Sequence, residues 1–466
     1  LFSRELSILG FRRYHKMSID MDRYKIVKDA VHGYIKIYHH ELPIVDSYAF
    51  QRLRRIKQLS VADIVYPGAV HTRFQHSLGT AHIAETMIRE LLRKLRLKQY
   101  DIDRYTVLIR LLALLHDVGH GPFSHLFEDC ILLPKGLTHE DVGALIVMNI
   151  DDLSSRIDSI LSAYGYSTSH IAKALKSKGV DEWPFTSNIT GETSEKALFY
   201  IIKGIFSADI IDYLLRDSYY TGAGYGDNID WYRISYYLYI YSDKLVIDYR
   251  ALDVFEQMII ARLHMFSTVY YHKTVRAAYK FLGDILKKID ELKLLDFEKH
   301  LNSIERYIEL DDYSVLLNDR VRDLSEVREF LSRRIPYKAV AEHRILLPNN
   351  VKSLGYLFDV GKKIIEESLE ESLRSRGIDV SRDRDFFVDT PKLSLNPMLT
   401  TDDAYIMLEG GYMQRRRVYE LPWINIPKAV AVVRVYIRRR TLLDKSSIIR
   451  EIFNSIVEGD NLRSFY

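Results

Sequence analysis

The sequence predicts a mainly α-helical protein, a large helical domain followed by a smaller C-terminal α/β lobe, and three patterns carry that expectation. Over residues 83–95, apolar side chains fall at 83, 87, 88, 91, 92 and 95, the spacing of one buried helical face. Residues 105–117 are apolar almost all round, as in a helix at the centre of a core. In the last third the pattern shifts to two strand-like runs, 404–408 and the Val- and Ile-rich 428–437.

Taken in order, residues 1–23 are expected to be a tail outside the core, 24–320 the main domain and 321–466 the appended lobe. The first helix begins at His76, with Ser77 as its expected cap. The second stops near Gly119, because Gly121-Pro122 cannot continue it. A third helix is predicted over 194–217, before Gly222. Alternating tyrosines over 233–249, broken by Ser242-Asp243, predict a hairpin. Helical periodicity returns over 251–292 and 322–376, turns follow at 379–397, and 442–457 is helical again.

Bulk properties exclude several classes. The 466-residue chain is 47% hydrophobic and 28% charged, the balance of a globular protein. A net charge of +3 implies no global polyanion-binding surface, and the runs Arg415-Arg416-Arg417 and Arg438-Arg439-Arg440 fit solvated strand ends better than a nucleic-acid interface. One cysteine, Cys130, rules out an intramolecular disulfide and a Cys-rich zinc module. No apolar run is long enough to span a membrane, the longest being broken by Arg110, and no secretory leader is visible, so a cytoplasmic location is expected.

Seven of the 16 histidines lie between residues 71 and 139. His116 and Asp117 close the apolar helix, His120 follows one turn on, and His125 and His139 come after. A His-Asp pair at a helix end can aim both side chains at one ion, and imidazole with carboxylate suits Fe, Mn, Ni or Zn, singly or in a dinuclear site, better than Ca. Asp209, Tyr213, Arg216 and Asp217 share one helical face and are expected to line one wall of a cleft. Single histidines are more often packed or solvated than functional. It is their grouping at the end of an apolar helix that points to a metal.

His76, then His116-Asp117, then the distant Asp209 resemble the H…HD…D ligand set of the HD superfamily of metal-dependent phosphohydrolases. The string His116-Asp-Val-Gly-His-Gly-Pro-Phe-Ser-His125 is similar to its deoxynucleoside triphosphate triphosphohydrolase branch, in particular the SAM- and HD-domain-containing members. So are Asp29-Ala-Val-His-Gly33, the run from Phe50 to Leu59, Pro67 to Gly79, Asp209 to Asp217, and Tyr270-Tyr-His-Lys273. The resemblance covers roughly residues 24–320 and includes no stretch like the SAM domain.

The resemblance implies a metal on His76, His116, Asp117 and Asp209, with Mg on the substrate, activating water and offsetting charge at phosphorus. It implies attack at the α-phosphate, releasing deoxynucleoside and triphosphate. His125 would be the acid for the leaving oxygen, oriented by Glu128, where the family carries Asp; His120 and His139 would contact phosphates or assist the proton. Arg73, Arg262 and Lys273 would hold phosphates; Tyr213 and Asp217 would face the sugar, Asp217 accepting from the 3′ hydroxyl. Tyr270 would crowd the 2′ position, and Gln58 and Leu59 would pack on sugar and base. Two departures stand out: Ile210 replaces a phosphate-binding lysine, and Tyr271 a glutamine. Lys25, Asp46, Gln51 and Arg54 match positions that bind an activating guanine nucleotide between subunits, which would make the protein a homo-oligomer, although a solvated basic face (Arg52, Arg54, Arg55, Lys57) explains the same segment more simply. The competing readings are another HD phosphoesterase, either a nucleotidase or a cyclic- or alarmone-nucleotide phosphodiesterase, and a nucleotide- or RNA-binding sensor without turnover.

Overall fold

The computed structural model describes residues 19–347, 354–394, 403–408, 411–417, 420–421, 424–425 and 429–458, so residues 1–18 of the expected tail lie outside it. A hairpin opens the described chain, β1 (Tyr24–Asp29) pairing antiparallel with β2 (Gly33–Tyr38). Then come α1 (Arg73–Lys94) and α2 (Gln99–Leu115), packed on each other, followed by α3 (His139–Asn149) and α4 (Ala208–Thr221). The hairpin β3 (Leu238–Tyr241) and β4 (Lys244–Asp248) leads to α5 (Leu252–Met265) and the long α6 (Lys273–Glu291).

Every residue of α2 from Tyr105 to Leu115 is buried, as the pattern predicts. Arg110 is tolerated there because Glu41 takes it at 2.6 and 2.8 Å and Glu85 at 2.7 Å, leaving no unpaired charge inside. Helix α1 starts earlier than expected: Thr72, not Ser77, is its N-cap, and the Thr72 amide donates to Gln75 Oε1 at 2.9 Å. His76 therefore sits inside the first turn, facing the core.

The helix expected over 194–217 is broken. A 3₁₀ turn and a short helix (Phe199–Lys203) end at Gly204, and Ser207 caps a fresh helix by accepting from the Ile210 amide at 3.3 Å. The new start places Asp209 in the first turn of α4. The tyrosine-rich hairpin forms only from Leu238 onward, since 231–237 is helical, with Ser242 and Asp243 both at positive φ in its turn.

The C-terminal lobe contains β5 (Tyr337–Leu347), α7 (Leu354–Ser375), β6 (Phe386–Asp389), β7 (Lys392–Ser394), β8 (Asp403–Met407), β9 (Met413–Arg417), β10 (Ala429–Arg438) and α8 (Ser446–Glu458). Strand β5 falls within a stretch expected to be helical; its partner β10 supplies ten paired positions, and tertiary pairing overrides local propensity. One sheet runs β5-β10-β6, with β7 also on β10, and covers a second, smaller core of Leu369, Leu373, Val388, Val435, Ile449 and Phe453. The other sheet runs β9-β8-β4-β3, so β8 of the lobe extends the hairpin of the main domain by parallel pairing. No helix among the described residues is long and apolar enough to cross a membrane.

Candidate active site

His76 from α1, His116 and Asp117 from the end of α2, and Asp209 from α4 converge. His76 Nε2 lies 3.0 Å from Asp209 Oδ1, 3.2 Å from His116 Nε2 and 3.6 Å from Asp117 Oδ2. His116 Nε2 is 3.4 Å from Asp117 Oδ1 and 3.8 Å from Asp209 Oδ1. Atoms each about 2.1 Å from one ion stand roughly 3–3.5 Å apart, so His76, His116 and Asp209 suit a single cation, with Asp117 beside them.

Hydrogen bonding strengthens that fit. His116 Nδ1 is 2.7 Å from the Ala113 carbonyl, which can only accept, and His76 Nδ1 is 2.8 Å from Asp212 Oδ2. Both Nδ1 atoms thus carry protons, and both Nε2 atoms of the neutral rings turn lone pairs toward each other and toward two carboxylates. Only a cation or an added proton relieves that arrangement. Burial alone would lower the affinity of His76 for a proton, yet Asp209, Asp212 and Asp117 outweigh it and lift the group to about 10. The cluster therefore demands positive charge.

Behind the cluster lies a network that the sequence reading missed. Asp212 accepts from His76, from His32 Nε2 at 2.6 Å and from Arg216 at 2.9 and 3.0 Å, and Arg216 also donates to Asp29 at 2.9 and 3.3 Å. Arg216 is fully buried in this network and does not line the cleft as its helical face suggested. The signal was present in the quoted strings Asp29 to Gly33 and Asp209 to Asp217, but a helical-face argument could not show that residue 212 turns to the metal side. Gly79 is required here, since a Cβ would stand 1.9 Å from Asp212 Oδ1.

The loop after α2 shapes the second half of the site. Phe123 and Ser124 both adopt positive φ, 60° and 57°, which folds the chain back so that His125 faces the cleft. A Cβ on Gly119 would meet the His139 carbonyl at 2.0 Å, so glycine lets α3 approach. Glu128 then joins two histidines, accepting from His125 Nδ1 at 2.9 Å and His139 Nδ1 at 2.7 Å. Those bonds and the positive fields of both rings hold its carboxyl far below the usual range despite burial. His120 is buried against them, stacked on His139 with ring centroids 3.9 Å apart, and its Nε2 is 3.4 Å from Asp117 Oδ1.

Arg73 links the halves, donating to Asp117 Oδ2 at 2.6 Å and to Ser124 Oγ at 2.9 Å. It also lines a cavity of about 360 Å³ together with Gln58, Leu59, His125, Tyr213, Asp217, Arg262 and Tyr270. Tyr271, Arg276 and Tyr279 complete one wall. Within this lining Tyr270 donates to Asp217 Oδ2 at 2.5 Å. Lys273 is not among the lining residues; it begins α6 with an exposed side chain. Ile210 is only 2% exposed and packs in the core.

The segment carrying Asp46, Gln51 and Arg54 contributes no lining residue to that cavity. Gln51 donates to the Val45 carbonyl at 2.8 Å and accepts from Arg54 Nε at 2.8 Å, while Arg54 stacks over the Phe74 ring at 3.6 Å. Asp46 and Arg54 are exposed, as is Lys25 on β1. The picture of a solvated basic face holds for Arg54 but not for Arg52, which is fully buried and donates to the carbonyls of Leu310, Val118 and His120, and Arg55 pairs with Asp311.

Residues 73–188 match the HD domain family and residues 229–380 match the HD associated region, so the chain belongs to the HD superfamily of phosphohydrolases. An uncharacterized protein of Methanocaldococcus jannaschii is 35% identical over 321 residues, 67% of this chain and 59% of that protein. The deoxynucleoside triphosphate triphosphohydrolase SAMHD1 of Gallus gallus is 31% identical over 356 residues, 69% of this chain and 56% of that protein. The chain thus spans less than two thirds of the length of these relatives. Among solved structures, a hypothetical protein from Aquifex aeolicus aligns with a TM-score of 0.67 at 27% identity, covering 91% of this chain and 99% of that one. A phosphohydrolase from Bacteroides thetaiotaomicron aligns with a TM-score of 0.66 at 26% identity, covering 90% and 100%.

Proposed function

We propose that the protein is a metal-dependent triphosphohydrolase that cleaves deoxynucleoside triphosphates into deoxynucleoside and inorganic triphosphate. The observation that carries this reading is that Arg73, which donates to Asp117 of the His76–His116–Asp117–Asp209 cluster, also lines the cavity that holds the bonded pair Asp217 and Tyr270. Its size suits a small ligand. A divalent ion held by the four ligands would supply an activated water and an electrophile for phosphate. Arg73 and Arg262 bind and neutralise phosphate oxygens. His125, its Nδ1 engaged by Glu128, keeps Nε2 for delivering a proton to the leaving 5′ oxygen, and His139, held by the same carboxylate, and His120 form the floor beneath it. Tyr213 and Tyr270 flank the sugar, with Gln58 and Leu59 on the base side. A role for Lys273 on phosphate requires its exposed chain to turn inward. Within this reading residues 24–320 form the catalytic unit and 321–466 the appended lobe. Lys25, Asp46, Gln51 and Arg54 form a guanine-nucleotide site between subunits of an oligomer, favoured by the Gln51–Arg54 pair already arranged on the surface.

Product analysis tests this: a panel of deoxy- and ribonucleoside triphosphates is incubated with Mn or Mg, with and without GTP. Deoxynucleoside plus intact triphosphate is the expected outcome, with stimulation by GTP that R54A removes. Release of monophosphate, or turnover that survives H116A and D117A, would overturn it.

A further inference from the structure

The Asp217 carboxylate, which lines the cavity, is held by a histidine that does not itself line it. His71 Nε2 lies 2.7 Å from Asp217 Oδ1, and the two side chains are 0% and 2% exposed. The other oxygen of Asp217 accepts from Tyr270. His71 Nδ1 is buried without a hydrogen-bond partner among the described residues. A buried N–H left unpaired costs more than an unpaired lone pair, so the proton of this ring sits on Nε2 and is donated to Asp217. The ring cannot swing away, because it stacks on Tyr220 with centroids 4.7 Å apart and planes 25° apart. Its own backbone carbonyl accepts from the amide of Gln58, another cavity residue, at 3.0 Å.

We infer that His71 is a positioning residue for substrate selection: by donating to Asp217 it fixes that carboxylate as an anionic acceptor whose remaining lone pairs meet a sugar hydroxyl. The inference rests on the nucleotide reading above and deepens it, assigning the demand for a 3′ hydroxyl to the His71–Asp217–Tyr270 chain. Without the His71 donor, Asp217 rotates or takes up a second donor, and the hydroxyl loses its fixed acceptor. The side-chain bonds of His71 and Asp217 run to each other and to Tyr270, so the cluster of His76, His116, Asp117 and Asp209 keeps its own contacts.

The test compares kcat/KM for a deoxynucleoside triphosphate with that for its 2′,3′-dideoxy counterpart, in wild type, H71F and H71Q, with metal content measured for each. Phenylalanine keeps the ring against Tyr220 and removes the donor; glutamine can place an N–H where Nε2 stands. Wild type is expected to prefer the 3′-hydroxyl substrate by about tenfold or more. H71F should bring the ratio close to one with metal content unchanged, and H71Q should restore most of it. If H71F does not fold, H71N replaces it, because its shorter amide stops short of Asp217 and the ratio must fall. A wild-type ratio in the donor-less variant overturns the proposal alone. Wild-type protein that turns over neither substrate overturns the nucleotide reading and the proposal with it.

Discussion

Arg276, on the wall of the cavity, is gripped by Asp389 of the C-terminal sheet through two hydrogen bonds of 2.9 and 2.6 Å. The grip belongs to a larger clamp. Arg434 donates to the Tyr271 carbonyl and to Glu342, and Tyr436 donates to the Lys273 carbonyl at 2.9 Å. The lobe therefore holds the 271–276 segment, where the cavity wall turns into α6. D389N removes one acceptor of a bidentate pair and frees the guanidinium, costing about 1 kcal/mol of preorganisation, or roughly fivefold. Steady-state kinetics should show KM raised by that factor with metal content unchanged; an unaltered KM would mean the lobe does not shape the cavity.

Asp212 orients His76 without standing among the ligands. Its replacement by Asn turns an acceptor of bonds from His76, His32 and Arg216 into a group that must donate to at least one of them. Outer carboxylates of this kind are worth about 10–100-fold in metal affinity. D212N dialysed against a weak chelator should lose its divalent ion at chelator concentrations that leave wild type loaded, by elemental analysis. Equal retention would remove Asp212 from the site.

Gly79 tests the same network by volume rather than charge. A methyl there would sit 1.9 Å from Asp212 Oδ1 and 2.4 Å from Arg216 Nη2, so both must shift. G79A should lower the unfolding free energy by about 1–3 kcal/mol and reduce bound metal together. Loss of stability with full metal content would separate packing from ligand support.

The helical core and the clustering of His116 and Asp117 with His76 and Asp209 were legible because each has a signal in a short window: the all-round apolar 105–115, and His116-Asp117 at its end. What escaped was tertiary. Nothing in the residues around 389 or 434 announces that they reach Arg276 and Tyr271, more than 100 positions away. The break at Gly204 and the restart at Ser207 were hidden by apolar residues on both sides that satisfy helical periodicity. Arg52 looked solvated because its neighbours are basic, yet it donates to three distant backbone carbonyls.

Asp312 sets a pH dependence of stability that can be measured without substrate. Its carboxylate accepts from the Phe123 amide at 2.6 Å and the Lys57 amide at 3.0 Å, pinning the strained turn before His125 to the residue preceding Gln58. Burial pushes this group up to about 7, against the pull of those two amides and of the Lys57 ammonium. Its unfolded value is near 3.9. Between about pH 4 and pH 7 the folded chain therefore binds a proton that the unfolded chain has released, so this carboxyl weakens the fold as pH rises through that window, with no further change above it. D312N cannot titrate. Whatever constant stability it loses with one acceptor, its unfolding free energy relative to wild type should improve from pH 5 to pH 8, measured by denaturant titration at each pH. A difference that stays flat across that range would show that Asp312 titrates at its ordinary value and that the turn carries a carboxylate at all working pH values.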